Sequence, residues 1–370
     1  MIGRLIADLG PSAENCRNSE GSFLELKDGS ILFAWSRYGI GDGDDGDVCE
    51  IWGMISRDGG ESFDGSRRLI AREDVSDDTD NIMSASLLRM KNGDIGLFFL
   101  AKNHENHRCR VYFARSADEG ESWSAPLLCS VPEGYHVVNN DRVITTSAGR
   151  ILVPAALHQS RYSKRDPNKI TGVGPGSLVV YYSDDDGATF HASKPVTIPV
   201  SSGCRTGVQE PGLLELSPDR ILCVIRTNSG RQYESFSEDG GETWTEPLPS
   251  KFTSAISPLS LRRLRDERVV AVWNPVPVYN GRSEWIGPEW LGGTWTGARN
   301  PLVMSFSTDN AENFPELITL EDDETRGFCY AAIHETRDGG LLLAYCAGGL
   351  GDRNCLRRLW IRKISRDEIK

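Results

Sequence analysis

The sequence predicts an all-β chain folded as a six-bladed β-propeller, four antiparallel strands to a blade. Three observations carry this: a turn motif repeated five times, a strand hairpin repeated six times, and no run of helical periodicity. The turn motif reads SRDGGESF from Ser56, SADEGESW from Ser116, SDDDGATF from Ser183, SEDGGETW from Ser237 and, more weakly, STDNAENF from Ser307. Its copies share S-x-D-x-G/A-x-x-W/F and recur every 54 to 70 residues, a period too long for a helical-hairpin repeat. Each residue type suits a tight turn. The Asp accepts backbone N–H groups, the Gly permits positive φ, and the closing aromatic packs back on the hairpin.

The hairpins run out of phase with this box. GSFLELKDGSILFAW from Gly21, SASLLRMKNGDIGLFFL from Ser84, DRVITTSAGRILVPA from Asp141, PGLLELSPDRILCVI from Pro211, LSLRRLRDERVVAVW from Leu259 and AAIHETRDGGLLLAY from Ala331 are each two apolar strands about a turn, several of them Asp-Gly or Asn-Gly turns. One such hairpin and one boxed hairpin make a four-stranded blade, and six fit the chain as a single domain, residues 1–370. The sixth copy ends with Ser365 and Asp367 as a truncated box. Its missing strand is expected from Arg4 to Gly10, which closes the ring and removes the sheet edges between first and last blades. Apolar residues alternate or form short runs instead of recurring at i, i+3, i+4, so no long helix competes.

Composition narrows the function. A formal charge of −12 argues against a phosphate backbone as partner. No apolar run reaches the roughly 18 residues of a membrane span, and MIGRLIADLG lacks a signal-peptide core; neither nucleic acid nor membrane is expected, and the location expected is cytoplasmic. Nine scattered cysteines without a CxxC pair read as reduced thiols.

In an up-and-down blade the box turns and Asp-Gly turns share one face of the disc. The opposite face receives loops 38–47, 102–107, 159–176, 227–231, 275–298 and 347–355. Loop 275–298 holds Tyr279, Trp285, Trp290 and Trp295, and loop 159–176 holds Arg161, Lys164, Arg165 and Lys169. Flat rings suit the C–H faces of sugars and clustered cations suit an acidic ligand. Glycines 172, 174 and 176 lack the strand-to-helix context of a phosphate loop and are expected to be flexible. His104 and His107 lack the helical spacing and third ligand of a zinc site, so no catalytic metal and no cofactor are expected.

With the boxes and hairpins in place, the chain resembles the sialidase (neuraminidase) superfamily, six-bladed propellers with Asp-box (BNR) repeats, over almost its whole length. The resemblance implies a retaining exo-glycoside hydrolase that removes a terminal sialic acid or related acidic sugar from a glycan. It places the acid/base Asp about eleven residues before the first box serine, at Asp45, with Asp44 and Asp47 as rivals in GDGDDGD. It places the nucleophile at Tyr330 of GFCYAAIHE and its base at Glu210 of GVQEPGLLEL. A phenol suits a sugar that carries a carboxylate on the anomeric carbon, since an anionic nucleophile would be repelled. It places two of three carboxylate-binding arginines at Arg226 of LCVIRTNSG and Arg299 of GARNPLVM, because guanidinium gives a carboxylate two parallel hydrogen bonds.

The first arginine of that trio is missing. Its expected position is Ser19, within NSEGSFLEL, next to Glu20, which suits a sugar hydroxyl or a cation. Arg17, Arg142 and Arg231 are the cations near enough to compensate. Asp80, Asn81, Asn140, Asp141, Arg142, Arg231 and Tyr233 are further candidates for shaping specificity, with hydrogen bonding between blades as their other role. The departure keeps two other functions open: a glycan-binding propeller without turnover, and a propeller polysaccharide lyase or hydrolase for uronate-type sugars. Assembly state is left open.

Overall fold

The computed structural model describes residues 2–76, 78–103, 107–162, 170–199, 202–276 and 299–370. The fold is all-β, and its helix among these residues amounts to three short 3-10 turns. The strands fall into six antiparallel sets in chain order. The first holds β2 (Asn18–Glu25), β3 (Ile31–Tyr38), β4 (Cys49–Ser56) and β5 (Asp64–Ile70). The second holds β6 (Asn81–Arg89), β7 (Ile95–Asn103), β8 (Arg108–Ser116) and β9 (Leu127–Leu128).

The third set holds β10 (Tyr135–Val137), β11 (Ile144–Thr145), β12 (Ile151–Tyr162), β13 (Ile170–Ser183), β14 (His191–Ala192) and β15 (Val196–Thr197). The fourth is β16 (Gln209–Ser217), β17 (Arg220–Arg226), β18 (Arg231–Ser237) and β19 (Leu248–Thr253). The fifth is β20 (Ser260–Arg263), β21 (Val269–Trp273), β22 (Leu302–Ser307) and β23 (Ile318–Glu321). The sixth joins β24 (Cys329–Glu335), β25 (Leu341–Cys346) and β26 (Leu359–Ile364) to β1 (Arg4–Leu9), in the order β1-β26-β25-β24. The first three sets are linked into one large sheet by single parallel contacts, Cys49 with Asn81 and Tyr135 with Cys109. The N-terminal strand thus pairs with the last strand, Arg4 opposite Lys363 and Leu9 opposite Leu359, as the sequence predicts.

Apolar side chains on both faces of the inner strands require cover on both sides, and neighbouring sets supply it. Leu32 and Ile51 pack with Leu97 and Phe99; Phe98 and Phe113 with Val153 and Tyr181; Leu178 and Val180 with Ile221 and Cys223. Leu222 and Val224 pack with Val269 and Ala271, Val270 and Val272 with Ile333 and Leu343, and Leu342 and Leu359 with Phe33. Each set shares a core with the next, and the sixth shares one with the first. Burying each such aliphatic side chain contributes about 1.5–3 kcal/mol.

Polar bonds tie the first strands of the sets together. Asp141 accepts the Ser22 hydroxyl at 2.8 Å, the Ile333 N–H at 3.0 Å and the Arg262 guanidinium at 2.9 Å, while its own N–H donates to Ala85 O. A second buried network joins the fifth and sixth sets. Arg362 pairs with Glu321 at 2.5 Å, their side chains 8 % and 4 % exposed. Tyr345 donates to the same carboxylate and accepts from Arg362 Nε at 2.9 Å, and Arg362 Nη1 donates to Ile2 O.

The turn boxes have the predicted chemistry. In the first, Ser56 donates to Asp58, and Asp58 accepts the N–H groups of Glu61 and Ser62 at 3.0 Å and the Ser62 hydroxyl. The turns of the other hairpins use Gly29, Gly93, Gly149 and Gly339 at φ of 83–90°, and Glu267 takes the same place at φ 67°. Side-chain donors from Ser62, Ser122, Thr189 and Asn313 pull Asp58, Asp118, Asp185 and Asp309 from 3.8 down to about 2. A depressed folded value means stability present above pH 4 and lost as pH falls toward 2. Urea midpoints at pH 5, 3 and 2 should therefore fall more steeply per pH unit between 3 and 2 than between 5 and 3, and Asp118→Asn should flatten that decline; equal slopes in the two proteins would contradict the assignment.

Two loop expectations need correction. Most of 159–176 is not an open loop: β12 and β13 stay paired through Ser160 with Val173 and Tyr162 with Ile170. Gly172, Gly174 and Gly176 accordingly lie in β13, so they are strand residues and not a flexible cluster. At Gly176 a side chain would strike Val208 O, because that backbone exchanges hydrogen bonds with Thr206 and Val208. The sixth box is replaced by a short 3-10 turn, Arg366–Ile369, behind Ser365. Tyr279, Trp285, Trp290, Trp295, Lys164, Arg165, Lys169 and His104 lie outside the described residues, and so does the side chain of Arg161.

Candidate active site

Four first strands carry the same irregularity. The pairing register slips between Ser19 and Ser22 in β2, Met83 and Ser86 in β6, Gln209 and Gly212 in β16, and Cys329 and Ala332 in β24. Each slip is a bulge containing one residue in the left-handed region: Glu20 at φ 56°, Ser84 at 63°, Glu210 at 40° and Tyr330 at 60°. Such a conformation is strained for a residue with a side chain and collects at functional sites. Here the four bulges turn their side chains into one cavity of about 180 Å³, lined also by Arg17, Asp45, Lys102, Tyr135 and His158. Glu210 and Tyr330 were expected from the resemblance and Glu20 was expected beside Ser19; the bulges bring the three together and add Ser84.

Tyr330, 6 % exposed, donates its phenol to Glu210 Oε1 at 3.0 Å. Arg226 Nη1 donates to the other oxygen of Glu210 at 2.6 Å and to the Tyr330 phenol at 3.3 Å. Arg299 lies 5.1 Å from the Tyr330 ring centre and donates to Cys329 Sγ at 3.1 Å, a cation over an aromatic face. Asn140 holds the same segment by donating to Tyr330 O and Gly21 O. Burial first, and the Glu210 charge second, push the Tyr330 phenol well above its ordinary range against the pull of Arg299 and Arg226. The phenol is therefore neutral at rest, with a carboxylate positioned to take its proton. Arg226 and Arg299 bear on Tyr330, and neither is among the residues lining the described cavity.

Across the cavity, Arg17 approaches from the start of β2. It is 1 % exposed and donates through Nη1 to Asp45 at 2.7 Å, through Nε to Ser19 at 3.0 Å, and lies 3.5 Å from Glu20. Ser19 is buried beside it and donates to Glu20 at 3.3 Å. Lys102 Nζ is 3.9 Å from the second Asp45 oxygen. Desolvation pushes Asp45 up, weakly for a side chain 60 % exposed; Lys102 and Arg17 overcome it and hold the carboxyl below the ordinary carboxylate range. Burial raises Glu20 to about 7, with Arg17 opposing. The two carboxyls share one guanidinium and are shifted in opposite directions, Glu20 up and Asp45 down.

Of the rivals to Asp45, Asp47 is occupied by the loop itself, accepting the Gly43 and Asp44 N–H groups, and Asp44 is exposed. Five of the predicted candidates are placed elsewhere. Asn81 donates to Asp47 O at 2.7 Å and so anchors that loop. Asp141 is consumed by the strand-to-strand bonds described above. Arg142 is buried and donates to Leu259 O; with Asp141 it lines a second cavity of about 550 Å³ together with Arg262 and His334. Arg231 donates to Ser250 O, and Tyr233 is a core residue. Lys102 was missed. Its signal was position: it lies at the same end of β7 that Arg226 occupies on β17.

The comparisons with known proteins agree with this fold. The profile of the BNR repeat-like domain family matches residues 29–343. A sialidase of Bacteroides fragilis is 26 % identical over 152 residues, 40 % of this chain and 24 % of that protein. Sialidase-3 of Mus musculus is 29 % identical over 174 residues, 42 % of this chain and 40 % of that one. The chain thus spans well under half the length of these curated relatives. Among solved structures, the NanB sialidase of Streptococcus pneumoniae superimposes with a TM-score of 0.71 at 14 % identity, over 100 % of this chain and 71 % of that one. An intramolecular trans-sialidase of Ruminococcus gnavus, in complex with oseltamivir carboxylate, gives 0.68 at 16 % identity, over 99 % and 98 %. With a family profile matched from Gly29 to Leu343, the chain belongs to the BNR repeat-like family of the sialidase superfamily.

Proposed function

We propose that the six strand sets are the blades of one closed propeller and that its central cavity is the active site of a retaining, sialidase-like glycoside hydrolase. The six cores shared in cyclic order and the β1–β26 pairing support the ring. The observation that carries the function is the Tyr330–Glu210 pair, raised into the cavity on matching bulges and bridged by Arg226. In the first step the Tyr330 oxygen attacks the anomeric carbon and its proton passes to Glu210. Asp45, once protonated, gives its proton to the departing oxygen as the glycosidic bond breaks. In the second, Asp45 takes a proton from water, water attacks the same carbon, and Glu210 returns its proton to the leaving phenol. Arg226, hydrogen-bonded to both partners, favours the negative charge shared between them.

The test is a panel of aryl glycosides of sialic acids, other ulosonic acids and uronic acids, followed by NMR of the released sugar. Aglycone release from an acidic glycoside with the anomeric configuration retained at first appearance is expected. An inverted first product, or an unsaturated sugar, would sink the retaining mechanism; the unsaturated product would identify a lyase. A second reading, glycan binding without turnover, is favoured by one feature: Ser19 stands where the resemblance calls for an arginine, with a carboxyl, Glu20, beside it on the bulge of β2. Binding of sialylated glycans with no sugar release in any arm would select it.

A further inference from the structure

The larger cavity, of about 550 Å³, takes no part in the chemistry above and shares no lining residue with the one around Tyr330. Its volume is that of an ordinary small-molecule site. The segment Asn140–Arg142 separates the two: Asn140 donates to Tyr330 O, while Asp141 and Arg142 line the larger cavity. The walls follow from the repeat. Leu24, Leu88, Ile144, Leu214, Arg262 and His334 stand at one level of the six first strands, each five residues before the tip of its hairpin turn, and all of them line the cavity. Four successive strands thus give an aliphatic wall, and the last two give a guanidinium and an imidazole. Burial first, and the Arg262 charge second, pull His334 down to about 4, so the imidazole is neutral at pH 7 and adds no charge.

Charge decides what such a cavity would take. Among its lining residues four arginines face three carboxylates, Glu25, Asp141 and Glu215, in a chain whose formal charge is −12. Arg89 is paired with Glu119, Arg263 reaches Asn310 and the exposed Glu267, and Arg262 bonds Asp141. The excess is therefore Arg142. It is 4 % exposed, donates to Leu259 O, leaves Nε and Nη2 without a partner, and has no carboxylate in ion-pair contact among the described residues. A buried cation without an anion is costly. Arg262 is 39 % exposed and commits only Nη2 to Asp141, so its other two nitrogens are open to a ligand. We propose that this cavity binds a monocarboxylate with an aliphatic body, its chain against Leu24, Leu88, Ile144 and Leu214 and its acid group on Arg262, within the field of Arg142. A neutral ligand would leave the Arg142 charge unmet, and a purely polar anion would leave the aliphatic wall unused. The site lies apart from the proposed active site and does not depend on how that site is read.

The test is calorimetric titration of octanoate into the full chain at pH 7, beside octanamide, which keeps the body and loses the charge, and acetate, which keeps the charge and loses the body. Octanoate should bind at least tenfold more tightly than either. Arg262→Gln removes the donor and Leu24→Glu sets a carboxylate in the wall; each should weaken octanoate binding at least tenfold, and Arg262→Lys should restore part of it. Excess N-acetylneuraminate should leave octanoate affinity unchanged. Octanamide binding as tightly as octanoate, affinity untouched by both variants, or no octanoate binding up to millimolar concentration would overturn the proposal. Displacement by N-acetylneuraminate would place octanoate in the cavity around Tyr330 and overturn it as well. The comparison of acid with amide uses the parent protein alone, so it stays decisive should either variant fail to fold.

Discussion

Tyr330→Phe is expected to lower kcat/KM toward a cleavable aryl glycoside by roughly 10³-fold or more, since removing a nucleophile deletes a step and not merely a contact. The change removes one oxygen and leaves the ring under Arg299 and the Asn140–Tyr330 backbone bond in place. Thermal stability should therefore move little, and loss of activity cannot be ascribed to unfolding. Glu210→Gln keeps the hydrogen bond from the phenol but cannot accept its proton as a carboxylate does. It should lose comparable activity, and the double variant should be no worse than the poorer single one, because the two residues act as a unit. Activity of Tyr330→Phe within a few-fold of the parent would remove the nucleophile from the mechanism.

Glu321→Ala should destabilise the fold by about 3–5 kcal/mol, the cost of leaving one member of a buried ion pair without the other. The affected cation is Arg362, which has a second tie to Tyr345 and a third to Ile2 O, so the damage spreads from β23 to β26 and the residues leading into β1. Urea unfolding should show a lower midpoint with unchanged slope. Replacing both partners together, Glu321→Leu with Arg362→Met, should recover much of the loss, since no unpaired charge remains. A single variant as stable as the parent would mean that solvent reaches Arg362.

How much could be read from residues alone divides along a physical line. The boxes and hairpins were legible because their chemistry is local: an Asp that accepts N–H groups three and four residues ahead needs nothing from the rest of the chain. Glu210 and Tyr330 were legible through the resemblance, which places a base and a nucleophile in GVQEPGLLEL and GFCYAAIHE. Their shared left-handed backbone was not, since a bulge depends on the partner strand. The fate of Arg17 was undecidable for the same reason: whether a cation reaches the cavity from two residues off the expected position depends on the side chain packing against the Tyr38 ring. Asn81, Asp141, Arg142 and Arg231 were placed among the binding candidates because polar residues at strand entrances look alike. Those that knit the strands together are told apart only by their partners, which come from distant repeats. Lys102 was overlooked because an apolar strand ending in a lysine is unremarkable until the cavity behind it is seen.

The pairing of β1 with β26 has a consequence for how the protein is made. Asp8 and Arg358, bonded across this junction, are 350 residues apart, and the length-dependent entropy of bringing such ends together is about 5 kcal/mol. A ribosome delivers Arg4–Leu9 well before Leu359–Ile364, so the earlier strand waits through the synthesis of all the intervening residues without its hydrogen-bonding neighbour. During that interval β26 is absent and the Phe33 side of the first set lacks Leu342 and Leu359. The nascent chain thus carries one sheet unfinished until Leu359–Ile364 is made, and that strand is the latch that ends the exposure.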